Sequence, residues 1–358
     1  MPLLSLMNKR FTHTIEEWFA ANGRSLPWRE TNDPYRIWLS EVILQQTQVA
    51  QGMAYYDRFL HHFPDVHSLA VASEDEVMLL WQGLGYYSRA RHLHAAAKQI
   101  DQFGCFPCDY ASIRSLPGVG DYTAAAIASI AFGLPYAVVD GNVYRVLARY
   151  FGVQTPIDSS VGRREFRLLA DEMLDSRRPA LYNQAIMDFG AVQCTPRTPD
   201  CSACPLMDSC QALAEGLVEQ LPTKSRRQKV TDRFFTYLYI CKADGRLLLQ
   251  RRGSGDIWQG LYQLPLIESS HPLGLAEISA RLPECKLELL CDNLTHQLTH
   301  QLLHAQCYAV EPIPQDETLC KGLWVPFQNV QDYAMPQLLV RIMQKISRRL
   351  FGAQHKKW

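Results

Sequence analysis

Two carboxylates and four cysteines stand out in this 358-residue chain as residues whose type and spacing could do chemistry. Glu41 sits amid Ile37, Trp38, Leu44 and Gln45 at helical spacing. A carboxyl with such neighbours is either a satisfied structural residue or a general acid, because partial desolvation would raise its pKa toward neutrality. Asp140 is delivered by Val138 and Val139 and followed by Gly141 and Asn142. Cys194, Cys201, Cys204 and Cys210 form C-x6-C-x2-C-x5-C, with prolines and little apolar pattern between them. Such a segment needs something to fold around, either an iron–sulfur cluster or a structural zinc. Zinc sites usually come as two C-x2-C pairs; with only one pair here, a 4Fe–4S cluster is preferred. Cys105 and Cys108 form another C-x2-C, but in a loop without the βαβ context of a redox motif.

The elements that must position these groups centre on Leu116 to Leu147. Pro117-Gly118-Val119-Gly120 reads as a tight turn, with Asp121 placed to cap a helix opening at Tyr122. That helix is apolar on nearly every face, as a buried central helix would be, and Gly133 and Pro135 end it. A glycine hairpin opening onto a helix N-terminus suits phosphate binding; a plain helix–helix turn is the other reading. Upstream, residues 8 to 20 form an amphipathic helix with Phe11, Ile15, Trp18 and Phe19 on one side. In the loop that follows, Trp28 and Arg29 offer a flat ring and a planar guanidinium, fit either for a base pocket or for ordinary packing. The next helix is expected from Pro34 to about Phe59. Its Gln45–Gln48 run of amides could hydrogen-bond base edges or fill a stack. A helix over 66–82 leads to a turn at Gly83 and Gly85, where Leu84, Tyr86 and Tyr87 lie beside Arg89 and Arg91. They are core aromatics with surface arginines, or a wedge into a base stack with phosphates held alongside. Further helices are expected over 92–103, 143–151 (Arg145 and Arg149 on one face), 162–174 and 179–192; the last contains Asn183, Gln184 and Asp188, which either look into a pocket or stabilise helix ends.

Composition frames these elements. Hydrophobic content of 47% supports real cores, and a net charge of zero argues against a histone-like binder. No run approaches the ~20 apolar residues of a membrane span. The N-terminus places its basic residues after a short apolar run, the reverse of a secretory signal. The expectation is a cytoplasmic, bacterial-type protein with no membrane association, acting as a monomer. From Glu219 the composition shifts. Pro222 to Lys229 is a basic, solvated linker able to cross a nucleic-acid backbone. Strands are expected at Phe234–Cys241, Arg246–Arg252, Lys286–Cys291 and Leu302–Val310, and helices near Leu275–Leu282 and Pro336–Leu350.

Taken in order, LPWRETNDPYRIWLSEVILQQTQVA, GLGYYSRARHLH, LPGVGDYTAAAI, VVDGNVYRVLAR, NQAIMDFGAVQC and the cysteine quartet resemble the A/G-specific adenine DNA glycosylases, the MutY family, over about residues 8 to 215. The resemblance implies a multidomain protein: an all-α helix-hairpin-helix glycosylase domain with a 4Fe–4S cluster, followed by an α+β Nudix-like domain. The expected boundaries are 1–218 for the glycosylase domain (cluster loop 194–210), 219–232 for the linker and 233–358 for the Nudix-like domain. It also implies an N-terminal helix folded back against the cluster-bearing helices. Glu41 matches the family's catalytic glutamate, which protonates adenine at N7, and Asp140 its catalytic aspartate, which stabilises the sugar cation. Gln46 and Tyr86 resemble the residues that fill and wedge the stack. Gly118, Gly120 and Tyr122 fall in the DNA-contacting hairpin, and Trp28, Arg29 and Asp188 resemble adenine-pocket residues. The implied partner is duplex DNA with adenine opposite 8-oxoguanine or guanine.

Endonuclease III-like lyases carry a Schiff-base lysine two residues after the hairpin's last glycine. Here that position is Tyr122, so a monofunctional glycosylase is expected. A bifunctional glycosylase/lyase for oxidised pyrimidines and a non-catalytic lesion binder are the alternatives. The C-terminal part resembles the family's 8-oxoguanine-recognising domain. It lacks a glutamate-dense magnesium helix, having only scattered Glu268 and Glu277, and is expected to bind rather than hydrolyse. In the lesion-reading loop, related sequences carry Phe-Ser-His where this chain has Leu298-Thr299-His300. Threonine can hydrogen-bond as serine would, but leucine cannot stack as phenylalanine would. His296, His300 and His304 otherwise read as a polar face on an irregular strand, with a metal site as the lesser alternative.

Overall fold

The computed structural model describes residues 2–225 and 230–351, so the basic cluster Arg226, Arg227 and Lys229 of the expected linker lies outside the described residues. Two compact units are present: Met1–Ala70 with Ala95–Arg227, and Val71–His94 with Gln228–Trp358. The division differs from the expected 1–218 and 233–358 in that residues 71–94 group with the sheet-bearing unit. Hydrogen bonding accounts for the grouping. The Tyr87 hydroxyl donates to Met335 O at 3.2 Å, Met335 N donates to Gln82 Oε1 at 2.9 Å, and Arg91 Nη1 donates to Gln259 O at 2.6 Å. Arg251 pairs with Glu74 and Asp75.

In chain order the helices are α1 (Pro2–Asn22), α2 (Pro34–Leu44), α3 (Val49–His62), α4 (Val66–Val71), α5 (Glu74–Trp81), α6 (Ser88–Phe103), α7 (Tyr110–Arg114), α8 (Asp121–Phe132), α9 (Gly141–Phe151), α10 (Ser160–Met173), α11 (Pro179–Asp188), α12 (Gln211–Ala214), α13 (Leu275–Arg281), α14 (Glu317–Cys320) and α15 (Gln337–Phe351). None of the described helices is long and apolar enough to cross a membrane.

Two breaks correct the sequence reading. The helix expected to run from Pro34 to Phe59 is split, because Gln46 takes a left-handed backbone angle, φ 57°, that no helix tolerates. The stretch over 66–82 is split at Ser73, whose side chain and Glu76 form a capping box for α5.

In the first unit α8 is buried over Thr123–Ser129, as its all-round apolar sequence demands, and Gly133 closes it at φ 65°. Asp121 does not cap α8. Gly120 occupies the N-cap, and Asp121 stands in the first turn, accepting from Arg114 Nε at 2.6 Å. Phe11, Ile15 and Trp18 of α1 share one core with Val143 and Leu147 of α9, Phe166 of α10 and Phe189. Leu206 and Ala212 of the cysteine segment join the same core, so α1 does fold back against it. The Phe11 and Tyr150 ring centroids stand 4.5 Å apart.

The second unit holds strands β1 (Thr231–Tyr239), β2 (Arg246–Arg251), β3 (Tyr262–Gln263), β4 (Leu266–Ser269), β5 (Lys286–Gln297), β6 (Gln301–Glu311) and β7 (Leu323–Pro326). They form a four-stranded sheet, β4-β1-β6-β5, and a three-stranded one, β3-β2-β7. β1 runs parallel to β6, and β5 pairs antiparallel with β6 through two register shifts. Leu338, Leu339, Ile342, Met343 and Ile346 of α15 fill one core with Phe235, Leu303 and Leu294. Ile278 and Leu282 at α13 join a second core with Leu238, Ile240 and Val310. The short strands β3, β4 and β7 carry too few residues to show a period.

Candidate active site

Asp140 is the N-cap of α9. Its Oδ1 accepts from Asn142 N at 2.9 Å and Val143 N at 2.8 Å, and its Oδ2 from Asn142 Nδ2 at 2.8 Å. Capping fits the residue type, since an aspartate oxygen satisfies otherwise unpaired first-turn N–H groups and meets the positive end of the helix dipole. The extended segment that delivers Asp140 is tied down by Asn183, fully buried on α11. Its Oδ1 accepts from Val138 N at 3.1 Å, and its Nδ2 donates to Tyr136 O and Ser129 Oγ, both at 2.8 Å. Asn183 therefore positions the aspartate rather than facing a pocket.

Glu41 lies on the buried side of α2, 9% exposed. Burial pushes its carboxyl up to about 7; the Tyr122 hydroxyl, hydrogen-bonded to it, works against the rise, the nearby Asp140 charge adds to it, and Arg29 opposes it. The structure thus brings Glu41, Tyr122 and Asp140 into one electrostatic group. The Tyr122 phenol also stands 3.4 Å from Met187 Sδ, and burial drives its own pKa well up, so it stays protonated. Burial leaves the Asp140 carboxyl raised as well, although the Val143 and Asn142 hydrogen bonds and Arg145 all work against the rise. Two neighbouring acids are therefore treated unequally: one is left nearly bare, the other is held by three hydrogen bonds.

Asp188 is fully buried. Burial alone would raise it, yet hydrogen bonds from Arg29 and Arg24 hold it down at about 2. Arg29 grips it with both terminal nitrogens, at 2.9 and 2.8 Å, and Arg24 adds its backbone N–H and its guanidinium. Asp188 thereby orients Arg29, whose charge reaches Glu41. Trp28 is buried in a short 3-10 turn, edge-on to Tyr56 at 5.1 Å. Gly118 (φ 75°) and Gly120 are exposed, and a Cβ on Gly120 would meet nothing within 4 Å, so the turn before α8 is open at that point. Gln46 is exposed at the break between α2 and α3.

None of the four cysteines is in a disulfide, and their thiols lie within electrostatic reach of one another. Burial pushes Cys204 up to about 11, so an electropositive body is needed to hold these sulfurs as thiolates. Among the described residues no three His, Cys, Asp or Glu side chains gather closely enough for a single metal ion. Arg149, buried on α9, donates to Cys194 Sγ at 3.3 Å and Thr195 O at 2.7 Å. Arg145 donates to Cys194 O at 2.7 Å and Asn142 Oδ1 at 2.8 Å. The face of α9 that carries both arginines is therefore a bridge between Asp140 and the cysteine loop, a use the sequence reading did not find. Arg24, Asn142 and Met187 were missed as well. Only Asn142 had a local signal, the Asp-Gly-Asn start of a helix.

In the second unit Tyr86 is exposed, with φ 46°, and its hydroxyl hydrogen-bonds Thr299 Oγ1 at 2.6 Å. Thr299 and His300 lie in the tight loop joining β5 to β6, closed by Leu298 N donating to Gln301 O at 2.8 Å. Glu268 is held by Arg233, and Glu277 caps α13 and meets His271, so the two scattered glutamates have separate structural partners. His304 stacks on Phe234 and pairs with Asp232.

Residues 39–170 match the model of the HhH-GPD superfamily base excision DNA repair proteins. Residues 194–210 match the iron–sulfur binding domain of endonuclease III, and residues 236–345 match the NUDIX domain. A thermostable thymine-DNA glycosylase structure is similar over 58% of this chain and 97% of its own, at 31% identity and a TM-score of 0.54. The human adenine DNA glycosylase is 42% identical over 222 residues, 59% of this chain and 41% of that protein. The adenine DNA glycosylase of Buchnera aphidicola subsp. Baizongia pistaciae is 30% identical over 355 residues, 97% of this chain and 99% of the relative. With likeness along nearly its whole length, a helix-hairpin-helix unit, a Nudix-like unit and four cysteines for a 4Fe–4S cluster, this chain belongs to the adenine DNA glycosylase family, enzymes of base excision repair that act on N-glycosyl bonds.

Proposed function

We propose that the chain removes adenine mispaired with 8-oxoguanine or guanine in duplex DNA, as a monofunctional glycosylase with Glu41 as general acid and Asp140 as the anionic stabiliser. The observation that carries this reading is the pair of buried carboxylates with unequal partners: Glu41, bonded to the Tyr122 hydroxyl, and Asp140, held by three hydrogen bonds and within electrostatic reach of both. Adenine is a poor leaving group as an anion. Glu41, partly protonated near neutral pH, donates its proton to N7, so the C1′–N9 bond breaks with a neutral base departing. The sugar left behind carries oxocarbenium character. Asp140, held by α9, stabilises that cation and water completes the hydrolysis. The base must first leave the duplex, at a cost of a few kcal/mol that is lower at a mismatch. The open N-terminus of α8 at Gly118 and Gly120 supplies phosphate contacts, and Trp28 and Arg29 wall the adenine pocket. Cys194, Cys201, Cys204 and Cys210 would hold a 4Fe–4S cluster, which would order the 194–210 loop; Arg149 ties that loop to α9, and Arg145 links it to Asn142 beside Asp140.

Tyr122 supports the monofunctional reading, since a protonated phenol bonded to Glu41 has no amine for a Schiff base. The test is a duplex with adenine opposite 8-oxoguanine, incubated and then split into two samples. Strand cleavage at adenine should need alkali. Glu41→Gln and Asp140→Asn should each lower excision by about 10²- to 10⁴-fold while duplex binding persists. Cleavage without alkali at the rate of base release would refute the monofunctional assignment. Unchanged excision in either variant would refute the assigned role.

A further inference from the structure

A cleft of about 540 Å³ in the second unit is lined by Tyr86, His296, Leu298, Thr299, His300 and Trp258, among others. Its volume falls in the range that holds a small ligand or a single base. Trp258 has no part in the chemistry above, yet the chain holds it in an unfavourable state. Its backbone is left-handed, φ 62°, a strained conformation for a bulky residue. Neighbours on both sides impose it. Arg252 Nε donates to Ile257 O at 2.9 Å, Leu261 N donates to Trp258 O at 3.0 Å, and Arg91 holds Gln259 O. Arg252 is itself fixed by Gln263 and Asp256, with its guanidinium carbon 6.0 Å from the indole centroid. The half-buried ring meets His296 and Phe235 in edge contacts at 5.9 and 6.4 Å. A rigid aromatic thus stands in the same cleft as the loop whose own first residue, Leu298, has no ring.

We propose that Trp258 is the aromatic contact for the 8-oxoguanine opposite the target adenine, filling the part that phenylalanine plays in related loops. This rests on the reading that the second unit recognises the opposite base. The two functions of the loop are then divided. Thr299 Oγ1 accepts from N7–H, a donor that 8-oxoguanine has and guanine lacks. Trp258 holds the purine plane so that this donor meets the hydroxyl. Stacking alone would not separate the two purines; it positions the one that Thr299 can read.

The experiment measures single-turnover excision from A:8-oxoguanine and A:G duplexes. The proteins are wild type, Trp258→Leu, Trp258→Phe and Trp258→Leu/Leu298→Phe, with melting curves and cluster absorbance as folding controls. Trp258→Leu should slow excision opposite 8-oxoguanine by about 10- to 100-fold and change excision opposite guanine little. Trp258→Phe should keep most of the preference, and adding Leu298→Phe should restore part of what Trp258→Leu loses. A second measurement uses only the conservative variant. Tryptophan emission of wild type and Trp258→Phe is recorded on binding a duplex with 2′-fluoro-adenosine, which resists cleavage, opposite 8-oxoguanine; part of the wild-type quenching should vanish in the variant. A folded Trp258→Leu with the wild-type preference, or equal quenching in wild type and Trp258→Phe, overturns the assignment of Trp258 alone. Wild-type enzyme without any preference overturns the reading of the second unit, and the Trp258 role with it.

Discussion

Glu41 and Asp188 are both buried acids, and partners send them in opposite directions. Glu41 is left nearly bare and pushed up to about 7, whereas hydrogen bonds from two arginines overcome burial at Asp188 and hold it at about 2. If Glu41 must carry the proton, single-turnover excision should be flat on the acid side and fall about tenfold per pH unit above about 7. Tyr122→Phe removes a bond that favours the ionised form, so the alkaline limb should move to higher pH; a limb that stays put would detach Tyr122 from Glu41. Stability gives an independent readout. A carboxyl whose folded pKa lies above its unfolded value costs nothing below the unfolded value. Its cost grows to about 3 kcal/mol once pH passes the folded value near 7. Glu41→Gln should therefore raise the melting temperature at mildly alkaline pH and leave it unchanged in acid. Asp188 has the opposite sign: its contribution is present above the unfolded value and is lost as pH falls through about 2. Asp188→Asn strands two arginine charges and should cost about 3–5 kcal/mol in denaturant titrations. An effect on excision without such a loss would mean the carboxylate meets the base directly.

At the scale of elements, α9 does more than its amphipathic pattern announces. Its N-cap is Asp140, its first turn carries Asn142, and its inner face runs through Arg145 and Arg149 to Cys194. The adjoining turn after α11 approaches so closely that a Cβ on Gly190 would lie 2.7 Å from Asn142 Cβ and 2.9 Å from Asn142 O. Gly190→Ala must push the start of α9 and its cap outward. Excision should fall by at least about tenfold, as misplaced reacting groups do, with cluster absorbance retained. Wild-type excision would show that the cap geometry tolerates the shift. This arrangement also marks what the sequence could and could not disclose. The buried α8, the end of that helix at Gly133, the cysteine quartet and the delivery of Asp140 follow from apolar period, glycine chemistry and spacing, all local properties. The break at Gln46 was invisible because nothing in a run of glutamines announces a left-handed residue. Arg145 and Arg149 looked like charges on one face; only tertiary packing shows them buried with carbonyl partners. Asn183 read as ambiguous for the same reason, since its partners, Val138, Ser129 and Tyr136, are about fifty residues away in sequence.

At the scale of the molecule, residues 71–94 decide how the chain can be divided. By sequence they sit inside the helical stretch, and a cut in the 219–232 linker looks like a clean separation. By contact they belong with the sheets: Gln82 and Tyr87 bond Met335 from both sides, Arg91 holds Gln259, and Arg251 pairs with Glu74 and Asp75. A chain ending at residue 225 would keep the Glu41, Tyr122 and Asp140 group and all four cysteines, yet would leave Trp81, Leu84 and Tyr87, buried in the full protein, without that support. Because hydrogen exchange reports local opening as well as global unfolding, the amides of α5 and the first turn of α6 should exchange much faster in the truncated chain than in the full one, while those of α8 and α9 change little. Adenine excision opposite guanine should survive, with preference for 8-oxoguanine lost, since Tyr86 would no longer have Thr299 and Trp258 beside it. Equal protection of residues 74–91 in the two chains would mean that this segment is ordered by the helical unit alone and that the linker does separate two self-sufficient folds.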